Sequence, residues 1–257
     1  MNNTNWNDKN EVLKAVKNWG WDLKYASDRL RDDKEIVMTA IKEKPWGLKY
    51  ASDRLKNDRE VVMEAVKQDG WNLKWADMIL KNDKEIVLTA IKNDSMALQF
   101  ASKILKDDKE FILKMLREVN KVSCIYEISN SLRDDKDVAL ALMKKDDRNI
   151  IYISDRLKDN KVFAKKIIKE HSWLLSCISD RLKNDKEIVI EAVKNNERAL
   201  KYAGDKIKEQ FPTVEKLLAS EKEIAKSNPW EKASDNEKSN NPWEAKVSND
   251  KDNQWER

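Results

Sequence analysis

LKNDREVVMEAV, residues 55–66, is the stretch on which the reading of the chain turns. A leucine, a basic residue, an Asn/Asp pair, a charged pair and an apolar run recur in this order down most of the sequence. Aligned on the polar start of the run, the units begin at Asp8, Asp33, Asp58, Asp83, Asp108, Asp135, Asn160 and Asp185, at spacings of 25, 25, 25, 25, 27, 25 and 25. A second column, Leu30, Leu55, Leu80, Leu105, Leu132, Leu157, Leu182 and Ile207, keeps the same phase. A fixed period over about eight 25-residue units is the signature of a repeat array, in which each unit covers its neighbour's apolar face.

Within a unit the pattern is helical. Ile36, Val37, Ala40 and Ile41 fall on one face of a helix and Lys34, Glu35, Thr39 and Lys42 on the other. Lys44-Pro45-Trp46-Gly47 breaks that helix, and proline's fixed φ suits the first turn of the next. In neighbouring units Gly20 and Gly70 sit where a left-handed C-cap is expected. Leu48, Ala51 and Leu55 then give a second helix. Asn57 to Glu60 fits a capping box, with Asn57 as N-cap and Glu60 reaching back, and the pattern recurs at Asp32, Asn82, Asp107 and Asn184. These short helices cannot stand alone in water, so they must stack. The expected fold is all-α: an α-solenoid of about eight two-helix units.

The array changes character midway. The small column Ala26, Ala51, Ala76 and Ala101 becomes Ile128, Ile153 and Ile178, then returns to Ala203. The aromatic column Tyr25, Tyr50, Trp75 and Phe100 loses bulk at Glu127 and Cys177. The break lies near 117–124, where the 27-residue spacing is expected to lengthen a loop. After Ile207 a capping helix is expected over 212–226, completing a repeat domain over 1–226. Residues 227–257 read as a disordered tail, because Trp is almost its only large apolar residue. The tail has its own repeat: Asn228-Pro229-Trp230-Glu231, Asn241-Pro242-Trp243-Glu244 and Asn253-Gln254-Trp255-Glu256.

The pattern at 55–77, with its Gly70-Trp71 step and Ala76, resembles a family of repeats from bacteria, protists and viruses, the domain-of-unknown-function family 4116. The resemblance covers about residues 8–207, thins at 120–150, and departs at Asn160-Lys161-Val162. It implies helical repeats and, by association with some bacterial effectors, contact with a host. It implies no activity and carries over no catalytic residues.

Composition narrows the function classes. Lys and Arg number 51 against 47 Asp and Glu, a net charge of +4. A dedicated nucleic-acid binder carries a clear basic excess, so nucleic acid is an unlikely partner class. Cys124, Cys177 and His171 are too few for a structural zinc site, so no metal and no cofactor is expected. The two cysteines fit a disulfide or, the preferred reading, two free thiols in a reducing compartment. No Gly-rich phosphate cradle is present among four scattered glycines, and no apolar run reaches the ~20 residues of a membrane span. The N-terminus has no Sec-type signal pattern, which points to the cytoplasm or to export by another route.

The expected function is therefore a non-catalytic scaffold for a protein partner. The alternative is a secreted effector module that holds an acidic or nucleic-acid target on an arginine ladder. Candidate partner-binding residues fall in three groups. Arg29, Arg54, Arg156 and Arg181 recur in Asp-Arg pairs before the leucine, either as an inter-repeat ion-pair ladder, the preferred reading, or as a seat for acidic groups. Met78 and Ile79 interrupt that column, followed by Lys103-Ile104, as ordinary variation or as an apolar seat. Trp230, Trp243 and Trp255 stand in the tail as a tandem linear motif. Trp21, Trp46 and Trp71 are expected to pack over the hairpin turns.

Overall fold

Each unit puts its longest helix where the apolar run lies. The computed structural model describes residues 4–227, with side chains to residue 222. Eight ten-residue helices recur with the repeat: Lys9–Asn18, Lys34–Glu43, Arg59–Gln68, Lys84–Asn93, Lys109–Glu118, Lys136–Lys145, Lys161–Glu170 and Lys186–Asn195. Among the described residues there is no strand. Ile36, Val37, Ala40 and Ile41 are fully buried, as are Val61, Val62, Ala65 and Val66 in the next unit. Fully burying one Val, Leu or Ile side chain stabilises by about 1.5–3 kcal/mol, so these faces hold the array together.

The cap lies one residue later than the capping-box reading places it. Asp58, not Asn57, is the N-cap, and its Oδ1 accepts from the Glu60 amide at 3.0 Å and the Val61 amide at 3.1 Å. Asp33, Asp83, Asp135 and Asp185 repeat this geometry. Glu60 sits at N2, too early to reach back, and pairs with Lys34 of the preceding unit instead. The residue before each cap is thereby freed for another role.

The second helix is in two pieces. A 3-10 segment, Gly20–Tyr25 or Pro45–Tyr50 for example, is followed by a one-turn α-helix such as Asp28–Arg31 or Asp53–Lys56. The break falls at an extended residue of the alanine column, Ala26 or Ala51, followed by an extended serine. That backbone turns the serine amide outward to the unit before it. Amides of Ser52, Asp77, Ser102, Ser129, Ser154, Ser179 and Gly204 donate to carbonyls of Arg31, Lys56, Lys81, Lys106, Arg133, Lys158 and Lys183 at 2.8–3.2 Å. A backbone hydrogen bond thus ties every unit to its predecessor, whatever the side chains are.

Gly20 and Gly70 are not left-handed caps. A Cβ on Gly70 would fall well inside contact distance of the Ala90 carbonyl oxygen, and one on Gly20 would meet the Ala40 carbonyl. Glycine is there because the 3-10 segment of one unit lies directly against the long helix of the next.

The two extra residues of the fifth unit fall in the 119–124 connection. They shorten the following 3-10 segment to Ile125–Glu127. Stacking passes through unbroken: Ser129 still bonds Lys106, and Lys109 still reaches Asp135 at 2.8 Å. Past the eighth unit a 14-residue helix, Val214–Ser227, lays Leu217 on the core and pairs Glu221 with Lys194 at 2.6 Å.

Candidate partner-binding surface

Two side-chain ladders run between units. The first joins a basic residue at the start of one long helix to the cap of the next. Lys34 reaches Asp58 at 2.8 Å and Glu60 at 2.7 Å, and Lys9, Lys109 and Lys161 do the same in their units. Burial opposes ionisation of Asp58, but the Lys34 ammonium and the helix amides outweigh it and hold its pKa below the usual range. The sixth unit has no such rung. Asn160 and Val162 stand where Asp and Glu belong, and no ion pair involves Lys136 among the described residues.

The second ladder is built from the one-turn helices. The Ser52 hydroxyl accepts from the Leu55 amide at 3.2 Å and donates to Asp32 of the preceding unit. The Arg54 Nε donates to Asp32 Oδ1 at 2.9 Å, and its Nη2 to the Asp32 carbonyl at 2.6 Å. Ser154 and Arg156 take Asp134 in the same way, and Ser179 and Arg181 take Asp159. The serine hydroxyl first, and the guanidinium second, hold the carboxyls of Asp32, Asp134 and Asp159 below the usual range. Arg29 is placed alike, donating to the Asn7 carbonyl at 3.0 Å. The arginines therefore pair with the residue before each cap, not with their Asp neighbours. Those neighbours pair three residues on, as Asp53 does with Lys56 and Asp180 with Lys183.

In the third and fourth units the arginine of this ladder is replaced, and the fourth keeps only its serine, Ser102 donating to Asn82 at 2.5 Å. Met78, Ile79 and Ile104 are exposed at 67, 68 and 69%, more than any tryptophan of the array but close to Trp19. The third unit's one-turn helix is reduced to a 3-10 turn, Leu80–Asn82, started by Asp77 accepting from the Ile79 amide at 2.9 Å. Tyr126 in the fifth unit and Ile151 in the sixth are also exposed, at 51 and 68%.

A groove runs between successive one-turn helices near the end of the array. Between the seventh and eighth units it encloses about 590 Å³ and is lined by Ser176, Asp180, Lys183, Lys201, Asp205 and Lys206. The equivalent positions four units earlier are Lys74, Met78, Lys81, Gln99, Lys103 and Ile104. Both aspartates are gone there, and Met78 has removed the acid that would pair with Lys81. Lys81 is half-buried, and among the described residues its ammonium makes no hydrogen bond or ion pair. Burial pushes it below the usual lysine range, with Asp77 only partly opposing. The sequence reading missed Lys81; the signal was the absent acid three residues before it.

The tryptophans bridge units instead of covering their own turns. Trp46 Nε1 donates to Asp69 and Trp71 Nε1 to Asp94, both at 2.7 Å. Trp21 lies flat on Trp46, centroids 6.2 Å apart. Lys49 lies over both Tyr50 and Trp75, at 5.4 and 5.3 Å. Cys124 and Cys177 are free thiols. His171 closes the helix Lys161–Glu170, its Nδ1 3.6 Å from Asp147. Among the described residues no cluster of His, Cys, Asp or Glu is arranged for a metal, and no helix is long and apolar enough to cross a membrane. Trp230, Trp243 and Trp255 lie outside the described residues.

Compared with known proteins, the chain matches one family model, described as a domain of unknown function (DUF4116), in overlapping copies at 8–56, 37–81, 58–106, 83–133, 108–158, 135–179 and 160–208. No curated protein and no solved structure matches it.

Proposed function

Given that the chain belongs to the family described as a domain of unknown function (DUF4116), we propose that it is a non-catalytic scaffold that binds a protein partner on the second layer of its middle units. The observation that carries this reading is the replacement of paired Asp and Arg by exposed Met78, Ile79 and Ile104 in two successive units. Contiguous exposed apolar side chains rimmed by charge are characteristic of protein-binding surfaces. The non-catalytic part is supported by the employment of the carboxylates. Those of the caps and ladders hold helix amides, serines and basic side chains.

The arginine column favours the ladder over an acidic or nucleic-acid target. Arg54, Arg156 and Arg181 already spend Nε and Nη2 donors on the preceding unit.

The test is affinity capture with the full chain, unchanged or carrying Ile79→Glu with Ile104→Glu, analysed by quantitative mass spectrometry. Both positions face solvent, so the helical circular dichroism should be unchanged. The expected result is loss of a defined protein partner by the double variant and its retention by Arg54→Gln with Arg181→Gln. The reverse pattern, with binding that falls steeply as salt rises, would move the function to the arginine column.

A further inference from the structure

The junction between the long helices of the sixth and seventh units differs in charge from the others. Elsewhere the facing charges are matched: Lys34 meets Asp58 and Glu60, Arg59 meets Asp83 and Glu85, and Lys161 meets Asp185 and Glu187. Here Lys136 and Lys144 on one helix meet Asn160, Val162, Lys166 and a single acid, Glu170, on the next. Among the described residues none of these three lysines makes an ion pair or a hydrogen bond. The contrast with the junction of the fourth and fifth units is residue for residue. There Glu118 pairs with Lys92 at 2.6 Å and with Lys114 at 4.0 Å. Glu170, Lys144 and Lys166 hold the equivalent positions, and Glu170 pairs with neither lysine.

The same junction holds a pocket of about 310 Å³. Its floor is apolar: Leu140, Met143, Ile167 and Leu174, the last three buried. Ile167 and Leu174 stand where the fourth unit has Ala90 and Ala97. Its rim carries Lys144, Lys166, Glu170 and His171. The comparable groove between the second and third units has only Met38 and Met63 among charged side chains, and that between the fourth and fifth only Leu88 and Phe111 among polar ones. Asp147 lies 3.6 Å from His171 but already accepts from Trp173 Nε1 at 2.9 Å. Glu170 can neutralise one rim lysine, and a positive charge remains over an apolar floor. We infer that this pocket binds an amphipathic carboxylic acid, with an apolar chain of about eight to ten carbons on the floor, the volume allowing roughly ten groups of ~30 Å³, and its carboxylate between Lys144 and Lys166. The carboxylate then stands as Glu118 stands between Lys92 and Lys114. Leu140 and Lys144 belong to one unit, Lys166 and Ile167 to the next, so the bound acid ties the two units together. It does so at the one junction of long helices that lacks an ion-pair rung among the described residues. The site lies on the long-helix layer, apart from the Met78 and Ile104 surface.

His171 is the only histidine of the chain, so its ring signals in a magnetic resonance spectrum report on the pocket directly. The experiment titrates the full chain, carrying isotopically labelled histidine, with sodium decanoate at fixed pH and below the concentration at which it forms micelles. The His171 signals should shift and saturate. Lys144→Gln with Lys166→Gln should weaken binding about tenfold, as expected for loss of charge-assisted hydrogen bonds. Both lysines face solvent, so the helical circular dichroism should be unchanged. Lys84→Gln with Lys114→Gln, the same exchange at the junction of the fourth and fifth units, should leave the affinity as it was. Decanol, which keeps the chain and drops the charge, should bind about tenfold more weakly than decanoate. Leu140→Glu, which puts a carboxylate at the floor of the pocket itself, should abolish the shift. Ile79→Glu with Ile104→Glu should not alter decanoate binding, because those residues lie on the other layer. A shift that never saturates, equal affinity for decanol and decanoate, or undiminished affinity in the Lys144 and Lys166 double variant would overturn the inference. None of these results bears on partner capture by the second layer, so the scaffold reading stands or falls separately.

Discussion

The second and third units use the same backbone and cover it differently. Ser52 and Asp77 both donate their amides to the preceding unit at 3.0 Å. Above that bond the second unit adds Ser52 and Arg54 on Asp32 and closes a full α-turn, Asp53–Lys56. The third unit has Asp77, Met78 and Ile79 at these positions, no Arg rung, and only a 3-10 turn. Stacking survives the exchange. The core and the backbone bond therefore set the architecture, and the side-chain ladder is a separate layer laid over them. A surface relieved of structural duty can be given to recognition, which is where the apolar residues are found.

If core and ladder are separate layers, the core should dominate stability in both units. Leu55→Ala removes a fully buried side chain and should cost about 3–5 kcal/mol. Leu80 is 6% exposed on the looser turn of the third unit, and Leu80→Ala should fall nearer ~2 kcal/mol. Urea unfolding of the full chain, followed by circular dichroism, measures both. Equal losses would mean that the third unit is as tightly closed as the second.

The period, the apolar columns and the helical class were legible because each follows from side-chain spacing alone. Leu55 to Val66 shows the limit. Val61, Val62, Ala65 and Val66 read as the stacking surface and are buried. Its cap was read one residue early, because Asn57 and Asp58 are both good cap residues and only the backbone decides between them. Gly70 was read as a cap because sequence reports that glycine is needed, not whether conformation or a neighbour's carbonyl needs it. The partner of Arg54 was hidden for a related reason. It lies 22 residues away across a junction, and the inter-repeat ladder expected from the Asp-Arg pairs does not name the residue before the cap as its acid. Met78 and Ile79 were visible as a departure from pattern, but the unpaired Lys81 required knowing that Asp53 and Lys56 pair.

Junctions sealed by aspartate should respond to acid and those sealed by asparagine should not. The carboxyls of Asp134 and Asp159 lie below the ordinary value, held there by Ser154 and Arg156 and by Ser179 and Arg181. A depressed pKa contributes stability that is present above the unfolded value, near 4, and is lost as pH falls through the folded value. Below about pH 4 the amides of Ser154 and Ser179 should lose protection from hydrogen exchange. Those of Ser102 and Gly204, across from Asn82 and Asn184, should hold longer. Simultaneous loss at all four amides would show that the caps, not this ladder, control acid unfolding. Asp134→Asn should slow the loss at Ser154 while leaving Ser179 unchanged.

The smallest effect is expected where the other ladder fails. Lys136 begins the long helix of the sixth unit, as Lys109 and Lys161 begin theirs, but faces Asn160 and Val162. Asn160 still caps its helix, accepting from the Phe163 amide at 3.0 Å, so the cap is intact and only the rung is missing. Val162 is 73% exposed and contributes little to packing. Asn160→Asp with Val162→Glu should recreate the two contacts that Lys161 makes with Asp185 and Glu187. Surface pairs of this kind add a few tenths of a kcal/mol, up to ~1 with a second acid in place. The gain should appear in urea unfolding at low salt and shrink in 1 M salt, where the screening length is only ~3 Å. It should also vanish in Lys136→Met, which distinguishes the restored rung from a better cap. A gain that persists without Lys136 would assign the effect to the helix dipole and detach this ladder from the stacking of units.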